Sequence, residues 1–260
     1  MHQQFPAPEA LRDTIACFWH TRPDSTEFEV IPDGYAEIIF YFGGQCGIFA
    51  NGAVQQLPSP FLMGLLDQPV RVSAASQLDI LGVRCFPWTV FDLLGLAPAK
   101  GPHAFEHPIT RLHTALAVTM ASGGGVAAAV TQLQQYFLQT RGGMPVDNTI
   151  LKAGAAMLSA HGVLPVSAVA AAAHASVRTL ERKFKRSSGH TVKDVAGLMR
   201  FEQARNQLWR DPDTNLADLA QALGYTDQSH LNREFKRYSG TTPAAFKSGV
   251  RSIISTRPLP

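Results

Sequence analysis

The sequence predicts an α+β protein of two domains, an amino-terminal β-rich barrel with accompanying helices and a carboxy-terminal half that is all helix. Three observations carry this reading. The chain has 260 residues, and at one domain per ~150 residues it holds two, each able to bury its own core without metal or disulfide staples. Residues 1–146 carry 7 Lys and Arg against 11 Asp and Glu, whereas residues 147–251 carry 15 against 9, so a half of charge −4 is joined to one of +6. Of the 23 Phe, Trp and Tyr residues, 16 precede position 147. A basic half suits a polyanion such as nucleic acid, and an aromatic-rich acidic half suits the enclosure of a small molecule.

With 45% apolar and 17% charged residues, the composition is globular and excludes a mostly disordered chain, a collagen-like fibre or a long coiled coil. No run approaches the ~18 apolar residues of a membrane span, and MHQQFPAPEALRD lacks the basic-then-apolar build of a secretory signal. The expectation is a soluble, cytoplasmic protein with no membrane contact. Cys17, Cys46 and Cys85 lie far apart without CxxC spacing and read as reduced core thiols.

Along the chain, residues 35–42 (YAEIIFYF), 69–73 (PVRVS) and 78–85 (LDILGVRC) are short, β-branched or aromatic, and bounded by Gly, Pro, Asn or Ser. They make the first ~105 residues mostly β. Pro87 can open a short helix through Leu94, which Gly95 would end. After AKGPHAFEHP the pattern turns helical: Val126, Val130, Leu133 and Phe137 make one apolar stripe. That stripe has two uses open to it, packing on the barrel or pairing with its copy in a homodimer. His103, His107 and His113 form the only histidine cluster. The spacing of the first pair suits two imidazoles on one side of a helix around zinc or another divalent metal, but Pro102 and Pro108 argue for a loop, and no metal or cofactor is assigned. The double glycine and proline of RGGMP mark a linker at 141–146, which separates a domain at 1–140 from one at 147–251, followed by a tail at 252–260.

The strongest signal is an internal repeat. Leu180, Arg182, Phe184, Lys185, Arg186, Ser188 and Gly189 recur 51 positions later as Leu231, Arg233, Phe235, Lys236, Arg237, Ser239 and Gly240, while Val166, Val169 and Ala170 recur at an offset of 50 as Leu216, Leu219 and Ala220. Each unit, 166–189 and 216–240, reads as a small alanine-rich helix, a short turn and a second amphipathic helix. This is the helix-turn-helix layout, whose second helix enters the major groove. Ser176 and Asp227 are placed to cap the second helices. Gly224 and its counterpart His174 occupy the turn position that often needs positive φ. On the first second-helix, the spacing predicts that Val177, Leu180 and Phe184 face the core and that Arg178, Glu181, Arg182 and Lys185 face outward. On the other, Leu231, Phe235 and Tyr238 are inward, with Gln228, Ser229, Asn232, Arg233 and Lys236 outward. Arg can bind guanine, and Gln or Asn adenine, through two hydrogen bonds, while Lys meets phosphate mainly as a point charge.

Residues 147–251 resemble the DNA-binding domain of the AraC/XylS family of transcription regulators. The second unit matches most closely through Ala220, Leu223-Gly224-Tyr225, Asp227-Gln228-Ser229, Leu231, Arg233, Phe235-Lys236 and Gly240-Thr241-Thr242-Pro243. The resemblance implies two helix-turn-helix units joined by one long helix at about 192–209, in which Arg200, Ala204 and Leu208 fit the pattern. It also implies readers of double-stranded DNA at Arg178, Glu181 and Arg182 and at Gln228, Ser229, Asn232 and Arg233. Activation through RNA polymerase contact is the usual mode it implies. His174 and the alanine-dense first helix depart from the commoner pattern.

Upstream, Ile31-Pro32-Asp33-Gly34, the strand to Phe42, and Leu81-Gly82-Val83-Arg84 before Phe86-Pro87 resemble a cupin-like sensor domain found on some such regulators. A small-molecule effector is the implied ligand. Asp33 and Arg84 are the candidate effector contacts, with a turn aspartate and a structural ion pair as the competing reading. The other class considered is a DNA-modifying or cupin-type enzyme with an appended DNA-binding domain. The cysteines make no reactive cluster, no GxSxG elbow, phosphate loop or dinucleotide fingerprint is present, and the strands read above contain no histidine. No catalytic residue is assigned.

Overall fold

The computed structural model describes residues 2–50, 52–122, 124–141 and 147–256. Most of the linker, 142–146, lies outside the described residues. The amino-terminal half begins with ten strands: β1 His2–Pro6, β2 Ile15–Thr21, β3 Glu27–Val30, β4 Ala36–Phe42, β5 Cys46–Ala50, β6 Ala53–Leu57, β7 Phe61–Met63, β8 Val70–Ala74, β9 Asp79–Cys85 and, after α1 (Val90–Leu94), β10 Pro102–His103. They form two antiparallel sheets, β1-β2-β9-β4-β7-β10 and β3-β8-β5-β6. The three strands read from the sequence are β4, β8 and β9, and Gly95 ends α1 in the left-handed region at φ 61°. His2, His20 and His103 lie in strands that the sequence patterns did not show, so the barrel does carry histidines on its sheets.

The side chains of β4 sort by alternation. Ile39 and Tyr41 enter the core between the sheets with Ile48, Phe61, Val72 and Ile80, whereas Ile38 and Phe40 enter a second core on the outer face of the six-stranded sheet. That outer face is covered by α2 (Leu112–Ala121) and α3 (Gly125–Arg141). Val130, Leu133 and Phe137 of α3 are fully buried there. The α3 stripe is therefore spent within its own domain, and its use for pairing with a second copy is overturned, because a buried stripe offers nothing to a partner.

The carboxy-terminal half is helical throughout: α4 Asn148–Ser159, α5 Val166–Ala172, α6 Val177–Ser188, α7 Val192–Arg210, α8 Leu216–Ala222, α9 Gln228–Ser239 and α10 Pro243–Thr256. A capping box of Thr191 and Asp194 starts α7. The two halves share a core. Leu65, Phe86 and Trp88, from the β-rich half, pack in one cluster with Met157, Leu180, Phe184 and Phe201. Trp88, 1% exposed, stacks on Phe86 with 5.2 Å between centroids and lies 5.7 Å from Phe184 of α6. Gly154 of α4 makes room for it, since a Cβ there would sit 2.3 Å from the indole.

Candidate nucleic-acid interface and ligand cavity

The repeat in sequence is a repeat in geometry. α5 and α8 span seven residues each, and α6 and α9 twelve each. The one-residue change in offset falls in the turn, which has four residues in the first unit and five in the second. Thr179 N–H donates to Ser176 Oγ at 3.2 Å, and His230 N–H donates to the Asp227 carboxylate at 2.7 Å. These caps satisfy donors that every helix start leaves unpaired. His174 sits at φ 52° and Gly224 at φ 71°, so a tolerant residue and a glycine solve the same left-handed turn. Both second helices end alike, with Ser188 and Ser239 hydroxyls donating to the Phe184 and Phe235 carbonyls at 2.7 Å.

Leu180, Phe184, Leu231, Phe235 and Tyr238 are buried, which leaves Arg178, Arg182 and Lys185 exposed on α6 and Gln228, Ser229, Arg233 and Lys236 exposed on α9. The two other sequence-derived readers occupy equivalent places in the repeat and both turn partly inward. The Glu181 carboxylate accepts the Val192 N–H at 3.3 Å, at the start of α7, where the helix dipole favours negative charge. Asn232 is half-buried, and its Oδ1 is enclosed without a hydrogen-bond partner among the described residues. Val177 is a correction in the other direction. It is 43% exposed rather than part of the core, and it stands where Gln228 stands in the second unit. That equivalence was present in the repeat, whereas the helical spacing alone hid it.

A second pair of equivalent positions ties the units down. Lys183 Nζ donates to the Asp147 carboxylate at 2.7 and 2.8 Å and to Thr149 Oγ1 at 3.3 Å, joining α6 to the start of α4. Burial would raise the Asp147 pKa, but Lys183 and the N–H groups of Ile150 and Thr149 outweigh it and hold the carboxyl below its ordinary value. In the second unit the matching residue is Glu234, which lies 3.4 Å from Arg200 of α7 and accepts the Tyr225 hydroxyl at 3.0 Å. Burial and Glu234 raise the Tyr225 pKa, so the phenol stays protonated and donates.

Between the two sheets of the β-rich half lies a cavity of about 260 Å³, lined by Trp19, Phe28, Tyr41 and Phe61 with Glu37 and Arg84 as its charged residues. Gly82 makes room for Trp19, because a Cβ there would meet the indole at 2.0 Å. Arg84 Nε donates to Glu37 Oε1 at 2.7 Å and Arg84 Nη2 to Asp33 Oδ2 at 3.2 Å. Asp33 thus acts here as a partner of Arg84, and its other oxygen accepts the Tyr35 N–H at 3.0 Å. Burial opposes charge on Arg84, yet the two carboxylates outweigh it and raise its pKa. The same turn meets α7: Arg205 Nη1 donates to the Pro32 carbonyl at 3.3 Å, and a Cβ on Gly34 would lie 3.2 Å from Met199. The turn that holds Arg84 at the cavity wall therefore touches the helix that joins the two helix-turn-helix units.

The three clustered histidines have separate structural partners. The His103 ring contacts the Gly101 carbonyl at 3.0 Å, His107 Nδ1 accepts the Ile109 N–H at 3.2 Å, and His113 contacts the Tyr41 carbonyl at 3.1 Å while stacking on Phe42. Among the described residues no group of three or more His, Cys, Asp or Glu is placed to hold a metal. No described helix is long and apolar enough to cross a membrane.

Residues 169–249 match a family model described as a helix-turn-helix domain. These residues form a helix-turn-helix domain of the AraC type. This AraC-type domain is 36% identical over 73 residues to the HTH-type transcriptional regulator RipA of Corynebacterium diphtheriae, a match that covers 28% of this chain and 21% of RipA. It is 31% identical over 86 residues to the HTH-type transcriptional activator RhaS of Klebsiella pneumoniae, covering 33% of this chain and 31% of RhaS. The aligned part thus spans about a fifth to a third of these relatives. Residues 3–101 match a second family model, described as a domain of unknown function, DUF6597. The two-domain arrangement as a whole is similar to a ligand-free, singly substituted ToxT from Vibrio cholerae, with a TM-score of 0.50 at 10% identity over 89% of this chain and 97% of that one. At that identity the likeness concerns the fold.

Proposed function

We propose that the protein is a cytoplasmic, sequence-specific transcription regulator. It reads double-stranded DNA through α6 and α9 of its AraC-type domain and answers to a small molecule held between the sheets of its β-rich domain. The observation that carries the DNA-reading arm is the pair of equivalent, capped helices, each with a core-facing stripe and an exposed basic face, joined by the single helix α7. Two major-groove readers on one rigid connector suit segments about one turn, ~34 Å, apart on one face of B-DNA. Because RhaS is an activator by name, activation through RNA polymerase contact is the mode we favour. A binding role rather than catalysis follows the same relatives, which are named as regulators.

The test is binding of full-length protein to fragments selected from genomic DNA. Arg182→Ala and Arg233→Ala should each cost about 1 to 3 kcal/mol on a selected site, with footprints lost in separate segments about 10 bp apart. The logarithm of affinity should fall with the logarithm of salt at a slope of about −5 to −9, for ~6 to 10 neutralised phosphates. If both variants are folded and bind like wild type, the reading is removed.

A further inference from the structure

We propose that the cavity between the two sheets takes a small apolar cation, a protonated amine on a short aryl or alkyl stem, and that Glu37 holds its charge. This deepens the effector-binding arm of the function given above and rests on it. The first observation is a charge count. One guanidinium, Arg84, serves two carboxylates, Glu37 and Asp33. Across the domain contact Glu202 and Arg205 lie 4.0 Å apart and balance each other. His2, also on the cavity wall, has its pKa lowered by burial and by Arg84, so it adds no charge near neutral pH. Among the described residues one negative charge is left unbalanced in a place poorly reached by water, where Coulomb attraction is several-fold stronger than in bulk solvent.

The second observation is atomic. Glu37 Oε1 accepts both available donors, Trp19 Nε1 at 3.1 Å and Arg84 Nε at 2.7 Å, and Oε2 accepts none from the described residues. An ionised carboxylate has about four acceptor sites, so Oε2 has room for a donor brought by a ligand. Burial, and after it Asp33, raise the Glu37 carboxyl above its ordinary range despite Arg84, and a cation bound beside it would favour the ionised form. A third observation is the rest of the wall. Tyr41 uses its hydroxyl on the Leu57 carbonyl at 2.5 Å, and Trp19, Phe28, Tyr41 and Phe61 supply aromatic surface, which attracts cations more than anions. A carboxylate or phosphate ligand would meet Glu37 on the wall, beside an Arg84 whose charge Glu37 and Asp33 already more than offset. An alcohol would satisfy Oε2 and leave the charge as it was. The volume, equal to roughly nine waters at ~30 Å³ each, limits the stem to about one ring and a short chain.

Isothermal titration of the full-length protein with phenethylamine, phenethyl alcohol and phenylacetate tests the assignment. Phenethylamine should bind at least about tenfold more tightly than the alcohol, a gap of about 1.4 kcal/mol, and phenylacetate should bind weakest. Glu37→Gln, which keeps an acceptor for Trp19 and Arg84, should remove the preference of amine over alcohol. Val30→Trp on the edge strand β3 narrows the cavity and leaves Glu37 in place, so it should abolish amine binding even if the Gln variant fails to fold. Alcohol or carboxylate binding as tight as the amine, or a preference that survives in Glu37→Gln, overturns the cation assignment while leaving the cavity as the effector site. Absence of binding by all three probes, or amine binding unchanged in Val30→Trp, removes the cavity as an effector site and the cation with it.

Discussion

Val177 and Leu180 are three residues apart on α6 and meet opposite fates, one exposed and one fully buried. Helical spacing places both on the same face, but the first turn of a helix extends past the core it packs on, and spacing gives an angle without an axial position. If α6 enters the major groove as proposed, a branched apolar side chain beside Arg178 at its start is suited to contact with a thymine methyl. Val177→Ser should leave the stability within about 0.5 kcal/mol of wild type, as for exposed sites generally, while weakening a selected DNA site, read by fluorescence anisotropy. Leu180→Ala should cost about 2 to 5 kcal/mol of stability, read by thermal or urea unfolding. Of the nine DNA-reading residues assigned from the sequence, Glu181 and Asn232 show the converse limit. Polar residues at a helix flank are outward by composition, and only the position of α7 reveals that the Glu181 carboxylate serves Val192.

The strands were legible in proportion to how much of their length is buried. β4 and β9 are nearly continuous apolar runs packed on both faces, and they stand out. β6 is exposed along AVQQ and buried only at Leu57, and β1 is exposed along most of HQQFP, so neither displays a pattern for a sequence to reveal. β2 mixes Cys, His and Thr with its aromatics because its two faces serve different cores. The helices of the AraC-type domain were legible by contrast through their punctuation, with Ser176, Asp227 and the two terminal glycines all where the repeat placed them. Asp147 is a further cap, seen only in the structure, with a measurable consequence. It caps α4 and receives Lys183. Its carboxyl is held below the unfolded value of about 3.9, so the stabilisation it gives is complete above that pH and is lost as pH falls through the lower folded value. Asp147→Ala should cost about 1 kcal/mol at pH 7 through the lost cap. The gap from wild type should narrow in melts carried below about pH 4.

At the scale of the molecule, the shared core makes the two halves mechanically continuous. Gly154→Ala is a sharp test of that continuity. In a free helix the change would stabilise by about 1 kcal/mol, but here the new methyl would have to displace Trp88. The expected result is a lower melting temperature with a shifted Trp88 indole resonance and a larger radius of gyration, the opposite sign from helix propensity. A rise in melting temperature would contradict the docking. The paired anchors Lys183 and Glu234 bear on protein engineering. The second helices of the two units, α6 and α9, share length, caps and buried stripe, and under the proposed function they invite use as exchangeable cassettes for building new binding specificities. Their anchors carry opposite charge and reach in different directions, Lys183 toward α4 and Glu234 toward Arg200 and Tyr225. A graft of α6 into the second unit would set a lysine against Arg200 and leave the Tyr225 hydroxyl without its acceptor. Recoding this protein therefore means changing the exposed residues helix by helix and keeping each anchor in the unit where it belongs.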